Sequence, residues 1–375
     1  MTNINFSVTS DLENLISQTK FERIFFLCGK KSYFLSGAYK TFKKILNKKE
    51  TKFYFKSSPF PEIVELKKII ISLKKFSPDL IIAVGGGTVI DYAKIANFID
   101  IEKNLEKKII NNSYTLKHKL AKLIAIPTTA GTGSEVGRSS VITIKETGKK
   151  TIFFHPGLMP DIAVLDPKLT VDLPPHISAA TGMDAFTHCM EAYLVDSFHP
   201  MADSIAIEGM KMVVANLPKV MENPNNLEAR GQMLLSATMG ATAFQKGLGM
   251  IHSMAHPLSA KFNIHHGLAN ALLIKFCLEF TIDKAIKTEN KTLQEKLNDI
   301  GNIISFSTLS DICYIPDIIG SFVHSIGIAL GLSEQGIHTE HIAELGQLAF
   351  EDSCHVTHPF AVNQNDFHAV YTRAL

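Results

Sequence analysis

The sequence predicts an α/β domain over residues 1–174 followed by an all-helical domain over residues 175–375. In the first part, short apolar runs alternate with segments of helical periodicity. In the second part, Ala, Met, Leu and His recur with helical periodicity and strand patterns fade. The doublet Pro174–Pro175 separates the two patterns. A chain of 375 residues is also long enough for two hydrophobic cores.

The first domain is predicted from four apolar runs that are bounded by turn residues. These runs indicate buried strands at residues 23–28, 51–55, 79–84 and 123–126. Helical periodicity lies between them, at residues 39–46, 61–75 and 89–98. Residues 140–144 and 151–154 predict a hairpin, and residues 162–165 a last strand. We therefore expect a mostly parallel sheet covered by helices on both faces.

Composition narrows the class of protein. Hydrophobic residues make up 46% of the chain and charged residues 20%, which is typical of a soluble globular protein. The net charge of +2 favours neither nucleic acid nor a membrane surface as a partner. The five cysteines form no CxxC pair, as expected of reduced thiols in the cytoplasm. No signal peptide is apparent, and no run approaches the roughly 18 apolar residues of a membrane span.

A glycine turn is the first candidate binding element. Gly85, Gly86, Gly87 and Thr88 follow the predicted strand 79–84 and open a helix. Glycines let the backbone approach a phosphate closely, and the start of a helix favours an anion. A tight strand-to-helix turn would explain the same residues, and the pattern is not GxGxxG. Taken alone, the turn is a weak signal of cofactor binding.

A second loop, PTTAGTGSE at residues 127–135, strengthens that signal. It also follows a buried strand, and it offers the hydroxyls of Thr128, Thr129 and Thr132. Both loops should lie at the carboxyl ends of parallel strands, where ligands bind. Together they suit the pyrophosphate and nicotinamide ribose of a dinucleotide. Lys150 could reach the same edge, or it could be a solvated lysine in a turn.

Histidines in the second domain indicate a metal site. Asp184 and His188 are four residues apart, which places them on one face of a helix. Further along, His252 and His256 have the same spacing, and His266 follows. Imidazole and carboxylate groups bind divalent metals such as zinc or iron. The alternative is a chance scatter among the 15 histidines of the chain.

Four motifs together resemble the iron-containing (group III) alcohol dehydrogenases. They are GGGTVIDYAK, PTTAGTGSEV, GMDAFTHCMEAY and the pair GLGMIHSMAHPL and HHGLANA. The resemblance extends over essentially the whole chain. It implies the dehydroquinate synthase-like fold, with a dinucleotide-binding α/β domain and an all-helical metal-binding domain. It also implies an oxidoreductase that transfers hydride between a small alcohol, or the corresponding aldehyde, and NAD or NADP.

The resemblance also assigns roles to individual residues. It implies four metal ligands, which are Asp184, His188, His252 and His266. It implies cofactor contacts in the two loops and at Lys150, at the residues Gly85, Gly86, Gly87, Thr88, Thr128, Thr129 and Thr132. His256 matches a histidine of the substrate pocket, where it could relay the alcohol proton or support a neighbouring ligand.

The sequence departs from the family pattern at two histidines. His265 stands where many members have proline, and it leaves a choice between two neighbouring ligands. We choose His266 because its offset from His252 matches the motif. His358 occupies a place where related chains often have asparagine, so the substrate cannot be carried over from the family.

The sequence leaves two choices open, which are the identity of the metal and the identity of the cofactor. The resemblance favours Fe²⁺, although Zn²⁺ binds such N/O sites at least as tightly. In the family, an acidic residue after the first strand often favours NAD. Here Gly29 takes that place, followed by Lys30 and Lys31, so we hypothesise that NADP is tolerated or preferred. If both lysines point into water, NAD would be accepted by default.

Two rival functions are weighed against the dehydrogenase. A sugar-phosphate cyclase, a lyase of the same architecture, would need several cations near the metal, where the sequence offers only Lys246 and Lys261. A non-catalytic metal- or nucleotide-binding protein gains little support, because all the motifs are intact. We also predict a homodimer or a higher oligomer. The prediction rests on the apolar content, on an apolar first strand at the edge of the domain (residues 24–28) and on the habit of the family.

Overall fold

The fold comes from a computed structural model that describes residues 3–5, 12, 16, 21–46, 49–58, 61–101, 105–111, 113–116, 118–144 and 149–375. The chain divides into two compact units. The first comprises Met1–Thr129 and Gly133–Leu173, and the second Ala130–Thr132 and Pro174–Leu375.

The first unit contains a six-stranded parallel sheet and a separate hairpin. Its strands are β1 (Asn3–Asn5), β2 (Arg23–Gly29), β3 (Glu50–Lys56), β4 (Leu80–Gly85), β5 (Lys122–Pro127), β6 (Ser139–Ile144), β7 (Lys149–Phe154) and β8 (Ile162–Val164). The order in the sheet is β1-β8-β5-β4-β2-β3, and every pair in it is parallel. Strands β6 and β7 pair antiparallel, as the predicted hairpin requires.

Side chains alternate between two cores, one on each face of the sheet. In β2, for example, Phe25 and Leu27 join one apolar cluster, whereas Ile24, Phe26 and Cys28 join the other. The helices of this unit are α1 (Lys30–Leu35), α2 (Ala38–Leu46), α3 (Ile63–Phe76), α4 (Gly87–Ala96) and α5 (Leu105–Ile110). The predicted parallel α/β domain with two covered faces is confirmed.

The predicted position of one strand is wrong. The apolar run 24–28 was expected as a first strand at the edge of the domain, but β2 pairs with β3 on one side and with β4 on the other. A strand with apolar residues on both faces fits the interior of a sheet, where both faces are covered. Strand β3 forms that edge instead, and its Phe53 and Phe55 are exposed.

The second unit is built from helices, as predicted. They are α6 (Pro175–Leu194), α7 (Pro200–Glu222), α8 (Leu227–Ala243), α9 (Met250–Phe262), α10 (His266–Lys287), α11 (Lys291–Ser305), α12 (Ile315–Ser325), α13 (Ile342–Glu351) and α14 (Gln364–Ala374). Helix α6 starts at Pro175, where proline supplies a helical φ and lacks only an N–H that would have no partner within the helix. Across the described residues, none of the helices has the length and apolar character needed to cross a membrane.

Candidate functional site

Helix α6 carries three buried polar side chains on one face. Asp184, His188 and Glu191 follow one another at intervals of four and three residues, so each lies about one turn from the next. The helix is buried at every residue from Ser178 to Leu194. Buried polar groups need partners, and α9 and α10 supply them here.

Helix α10 approaches α6 closely at its first turn. A Cβ atom on Gly267 would lie 2.0 Å from the carbonyl oxygen of Ala180, so only glycine permits this approach. His266, the residue before it, begins α10. Its Nε2 lies 3.5 Å from Oδ1 of Asp184. Close packing of the two helix backbones therefore brings a histidine to the aspartate.

Asp184 is the centre of a cluster of three imidazoles. Its Oδ1 lies 3.8 Å from Nε2 of His188 and 3.8 Å from Nε2 of His252, besides its contact with His266. Ligand atoms bound tetrahedrally to one zinc-sized ion are about 3.4 Å apart. Ligand atoms of Asp184, His252 and His266 all lie within 4.8 Å of one another. The four residues could hold a divalent cation with little rearrangement.

The charges of the cluster also suit a cation. Burial would raise the pKa of Asp184 and of Glu191, but the neighbouring histidines and hydrogen bonds outweigh burial and lower both values. Burial lowers the pKa of His188 to about 4, although Asp184 opposes the shift. His188 is then neutral at pH 7, with a lone pair to offer a metal. Burial would also lower the pKa of His252, but Asp184 and Glu191 outweigh burial and raise it to about 9. The two buried carboxylates therefore stabilise positive charge at this place.

Glu191 is a functional candidate that the sequence reasoning missed. Its Oε2 lies 2.6 Å from Nδ1 of His252, and its Oε1 accepts a hydrogen bond of 2.7 Å from the backbone N–H of Ile251. The carboxylate accepts a hydrogen bond from Nδ1, so Nε2, which faces Asp184, is the nitrogen of His252 that would bind a metal. The signal was present in the sequence, since Glu191 continues the series of Asp184 and His188 along one helix face.

Asn270 is a second missed residue. It lies four residues after His266 on α10, and its Nδ2 donates to Oδ1 of Asp184 at 2.9 Å. The same nitrogen lies 3.4 Å from Nε2 of His252. Asn270 is fully buried, so this hydrogen bond fixes the orientation of the aspartate.

His256 is held by an aspartate from a distant part of the chain. Nδ1 of His256 lies 2.8 Å from Oδ2 of Asp352, whose Oδ1 accepts hydrogen bonds from Oγ of Ser253 and the backbone N–H of Cys354. The ring of His256 stacks on that of His266, with centroids 5.1 Å apart. The predicted pocket histidine is therefore adjacent to the cluster and is oriented by Asp352.

The other two uncertain histidines occupy different places. His265 is the N-cap residue of α10 and is exposed, whereas its neighbour His266 is in the cluster. His358 is close to Glu191, because a Cβ atom on Gly249 would contact both side chains. Burial lowers the pKa of His358 to about 4 against the opposing charge of Glu191.

In the first unit, the two predicted cofactor loops lie next to each other. Strands β4 and β5 are neighbours, and Gly85 pairs with Pro127 where both strands end. The N–H of Thr128 donates to the carbonyl of Gly85 at 3.1 Å. A Cβ atom on Gly86 would come 3.2 Å from Oγ1 of Thr129. The structure thus brings together the glycine turn (residues 85–88) and the first part of the loop 127–135, which we call the threonine loop.

The remaining predicted cofactor residues are placed as follows. Gly87 and Thr88 form the first turn of α4 and are partly exposed. Thr132 belongs to the short stretch Ala130–Thr132 that groups with the second unit. Lys150 pairs with Thr143 in the hairpin, and its side chain lies outside what the structure describes.

Two family models match the chain. The model described as iron-containing alcohol dehydrogenase matches residues 3–167, and that of the C-terminal part of the Fe-containing alcohol dehydrogenase family matches residues 178–375. The probable alcohol dehydrogenase EutG of Escherichia coli (strain K12) is 34% identical over 315 residues, which are 84% of this chain and 77% of that protein.

Two further proteins are similar. The 4-hydroxybutyrate dehydrogenase of Cupriavidus necator is 33% identical over 329 residues, which cover 84% of this chain and 82% of that protein. The crystal structure of sulfoacetaldehyde reductase from Bifidobacterium kashiwanohense in complex with NAD⁺ is 25% identical, with a TM-score of 0.87, and the match covers 100% of this chain and 96% of that one.

Proposed function

Because this chain belongs to the iron-containing alcohol dehydrogenase family, we propose that it transfers hydride between a small alcohol or aldehyde and a nicotinamide dinucleotide. Membership of the family makes it an oxidoreductase that acts on alcohols. The observation that carries the proposal is the buried cluster in which His188, His252 and His266 surround Asp184.

The proposed metal ligands are Asp184, His188, His252 and His266. Their ligand atoms lie close together, and the pKa values of the nearby carboxyls are lowered, which supports a cation there. When bound, the ion supplies Lewis-acid polarisation of the alcohol oxygen. We propose Fe²⁺ as the ion because the family is iron-containing, although the same donors also suit Zn²⁺.

The surrounding residues orient the reacting groups. Glu191 holds the ring of His252 through Nδ1, and Asn270 holds the carboxylate of Asp184. We propose that His256 contacts the substrate and carries its proton outward, because Asp352 fixes the ring next to the cluster. Preorganised donors of this kind need no rearrangement during the reaction.

The proposed cofactor site is the shared edge of the two loops. Backbone N–H groups at the start of α4 suit the pyrophosphate, and the threonine hydroxyls suit a ribose. The NAD⁺ complex of the sulfoacetaldehyde reductase supports a nicotinamide dinucleotide. The contacts are proposed at Gly85, Gly86, Gly87, Thr88, Thr128, Thr129, Thr132 and Lys150.

For the choice of cofactor, we propose that NADP is accepted at least as well as NAD. Gly29 ends β2, and its register partner at the end of the neighbouring strand β3 is Lys56. A Cβ atom on Gly29 would lie 3.8 Å from Cε of Lys56. Lys30 and Lys31 follow Gly29 and are exposed, whereas Nζ of Lys56 donates to the carbonyl oxygen of Ser58 at 2.6 Å. We propose that these three cations together attract a 2′-phosphate.

The lyase alternative is not favoured. Its phosphorylated acidic substrate would need free cations near the metal, and the sequence offered Lys246 and Lys261. Lys246 is paired with Asp203, with Nζ 2.6 Å from Oδ1, and Lys261 is paired with Glu344. Two relatives that match most of the chain are a probable alcohol dehydrogenase and a 4-hydroxybutyrate dehydrogenase.

We also propose an oligomeric state, from exposed apolar residues, and a cellular location, from the cysteines. The edge strand β3 exposes Phe53 and Phe55, and Phe34 stacks on Phe55 with centroids 6.1 Å apart. An exposed apolar edge of this kind favours a homodimer or a higher oligomer, and light scattering that gives a monomer would refute this proposal.

A cytoplasmic location is proposed because all five cysteines are free.

The experiment that tests the proposed function is an activity screen with a metal control. The purified protein is loaded with Fe²⁺ without oxygen and incubated with NAD or NADP and a panel of short primary alcohols. We expect reduced nicotinamide to form with at least one alcohol and to stop when a chelator removes the ion. Equal rates with and without the chelator would contradict the proposal.

A further inference from the structure

Helix α4 carries a buried ion pair in addition to the turn at its start. Lys94 is 0% exposed and Asp91 is 9% exposed, and Nζ of the lysine lies 3.9 Å from Oδ1 of the aspartate. Both residues belong to the motif GGGTVIDYAK, of which only the glycines and Thr88 were used to predict cofactor binding. Neither charge has a role in the proposed reaction.

The two charges hold Ser134, at the end of the threonine loop. Nζ of Lys94 donates to the carbonyl oxygen of Ser134 at 2.9 Å and to its Oγ at 3.1 Å. That hydroxyl donates in turn to Oδ1 of Asp91 at 2.5 Å. The backbone and the side chain of one loop residue are therefore fixed by the helix that begins at the glycine turn.

Asp91 also fixes the chain that follows the loop. Its Oδ2 accepts a hydrogen bond of 3.1 Å from the backbone N–H of Val141 in β6. At the other end, the loop is tied to the glycine turn by the hydrogen bond from Thr128 to Gly85. The segment between Thr128 and Ser134 is thus anchored on both sides to β4 and α4.

Stability alone is a poor explanation of this arrangement. A buried ion pair recovers only part of the cost of removing its charges from water, and apolar side chains often replace such pairs without loss of stability. What an apolar pair cannot provide is the directional contact with a carbonyl, a hydroxyl and an N–H at fixed places. The ion pair therefore fixes the positions of these three groups, which an apolar pair would not do.

We propose that Asp91 and Lys94 are positioning residues that hold the threonine loop in register with the glycine turn, so that one dinucleotide can contact both. The inference rests on the proposed function, because it assumes that these loops bind the cofactor. The two residues act through Ser134.

The test compares cofactor affinity among three variants. Lys94→Met removes the charge at similar length, and Ser134→Ala removes the shared hydroxyl while leaving the ion pair. Tyr92→Phe is the matched control on the same helix, because Oη of Tyr92 is fully buried and bonds the backbone of Glu62. The dissociation constant of reduced nicotinamide cofactor is measured by fluorescence titration, with the unfolding midpoint measured alongside.

We expect the dissociation constant to rise about tenfold in Lys94→Met and at least threefold in Ser134→Ala. Tyr92→Phe should lower the unfolding midpoint but leave the dissociation constant within twofold of the wild type. At saturating cofactor, kcat should change far less than the cofactor KM. Metal content should be unaffected in all three variants.

Unchanged affinity in both Lys94→Met and Ser134→Ala would overturn the proposal, as would an equal loss of affinity in Tyr92→Phe. If Lys94→Met does not fold, the result for Ser134→Ala decides. A wild-type protein that binds neither NADH nor NADPH would refute the proposed function itself. A wild type that binds, with variants that bind equally well, would refute only the positioning role.

Discussion

The carboxylate of Glu191 lies 2.6 Å from Nδ1 of His252, while Nε2 of the same ring lies 3.8 Å from Oδ1 of Asp184. One imidazole therefore joins two buried carboxylates. The arrangement defines which nitrogen of His252 is free to bind a metal, and it makes Glu191 the partner that orients a proposed ligand.

Glu191→Gln should weaken metal binding by about 10–100-fold. The side-chain amide has one acceptor oxygen and no charge, so it cannot accept hydrogen bonds from both Nδ1 of His252 and the N–H of Ile251. Metal retained after dialysis against a graded chelator measures the effect. Glu208→Gln, at an exposed position of α7, is the control and should keep its metal. Equal retention in both variants would show that the contact with His252 does not support a metal ligand.

His266→Ala should lose bound metal and activity but keep its affinity for the cofactor. The reason is that His266 contacts Asp184, whereas the glycine turn and Thr128 belong to the first unit. His265→Ala is the neighbouring control and should retain the ion, because His265 is exposed. Metal analysis that gives the opposite pattern would assign the ligand to His265.

Cofactor choice should depend on the lysines near Gly29. We expect kcat/KM with NADP to equal or exceed that with NAD, and Lys56→Ala or Lys30→Ala to lower only the NADP value, by about tenfold. Lys40→Ala, at an exposed position on α2, should change neither value. A hundredfold preference of the wild type for NAD, about 2.7 kcal/mol, would contradict the assignment.

Lys94 should make stability depend on pH in the alkaline range. Burial lowers the pKa of Lys94 to about 8, against the opposing charges of Asp91 and Glu135, whereas the pKa of an unfolded lysine is about 10.4. Between these values the unfolded chain binds more protons, so the free energy of unfolding rises with pH.

Relative to Lys94→Met, the wild type should therefore gain about 1–2 kcal/mol between pH 7.5 and 9.5. Denaturant titrations at the two pH values measure this difference, and Tyr92→Phe, which keeps Lys94, should show the same gain over Lys94→Met as the wild type does. An absent gain would mean that Lys94 keeps an ordinary pKa in the folded protein, and a loss of stability over this range would mean that its pKa is raised there; either result contradicts the prediction.

The elements of the fold were predictable because each is a local pattern. Apolar runs predicted seven of the strands to within two residues at each end, as for β2, predicted at 23–28 and observed at Arg23–Gly29, whereas the short strand β1 was not predicted. The order of the strands in the sheet could not be inferred from a local pattern. Strand β2 was expected at the edge of the domain and lies inside the sheet. Its apolar residues fit an interior position but do not identify β3 and β4 as its neighbours.

The residues of the candidate site likewise fall into those that a local sequence pattern identifies and those that it does not. Asp184 and His188 are recognisable because one helical turn separates them, and the same spacing could have identified Glu191 and Asn270. Asp352 could not be predicted, since its contact with His256 joins residues 96 positions apart and exists only after the helices pack. Lys94 was read as part of a helix, because burial of a lysine cannot be seen in its sequence neighbours.

The most direct test of hydride transfer at the Asp184 cluster uses an alcohol deuterated at its reacting carbon. The Fe²⁺-loaded protein is incubated with this alcohol and the oxidised cofactor, and the reduced cofactor is analysed by mass spectrometry. We predict that it carries one deuterium from the alcohol, and that Asp184→Asn forms none while still binding the cofactor. Reduced cofactor without deuterium, or with the same yield in Asp184→Asn, would contradict the account.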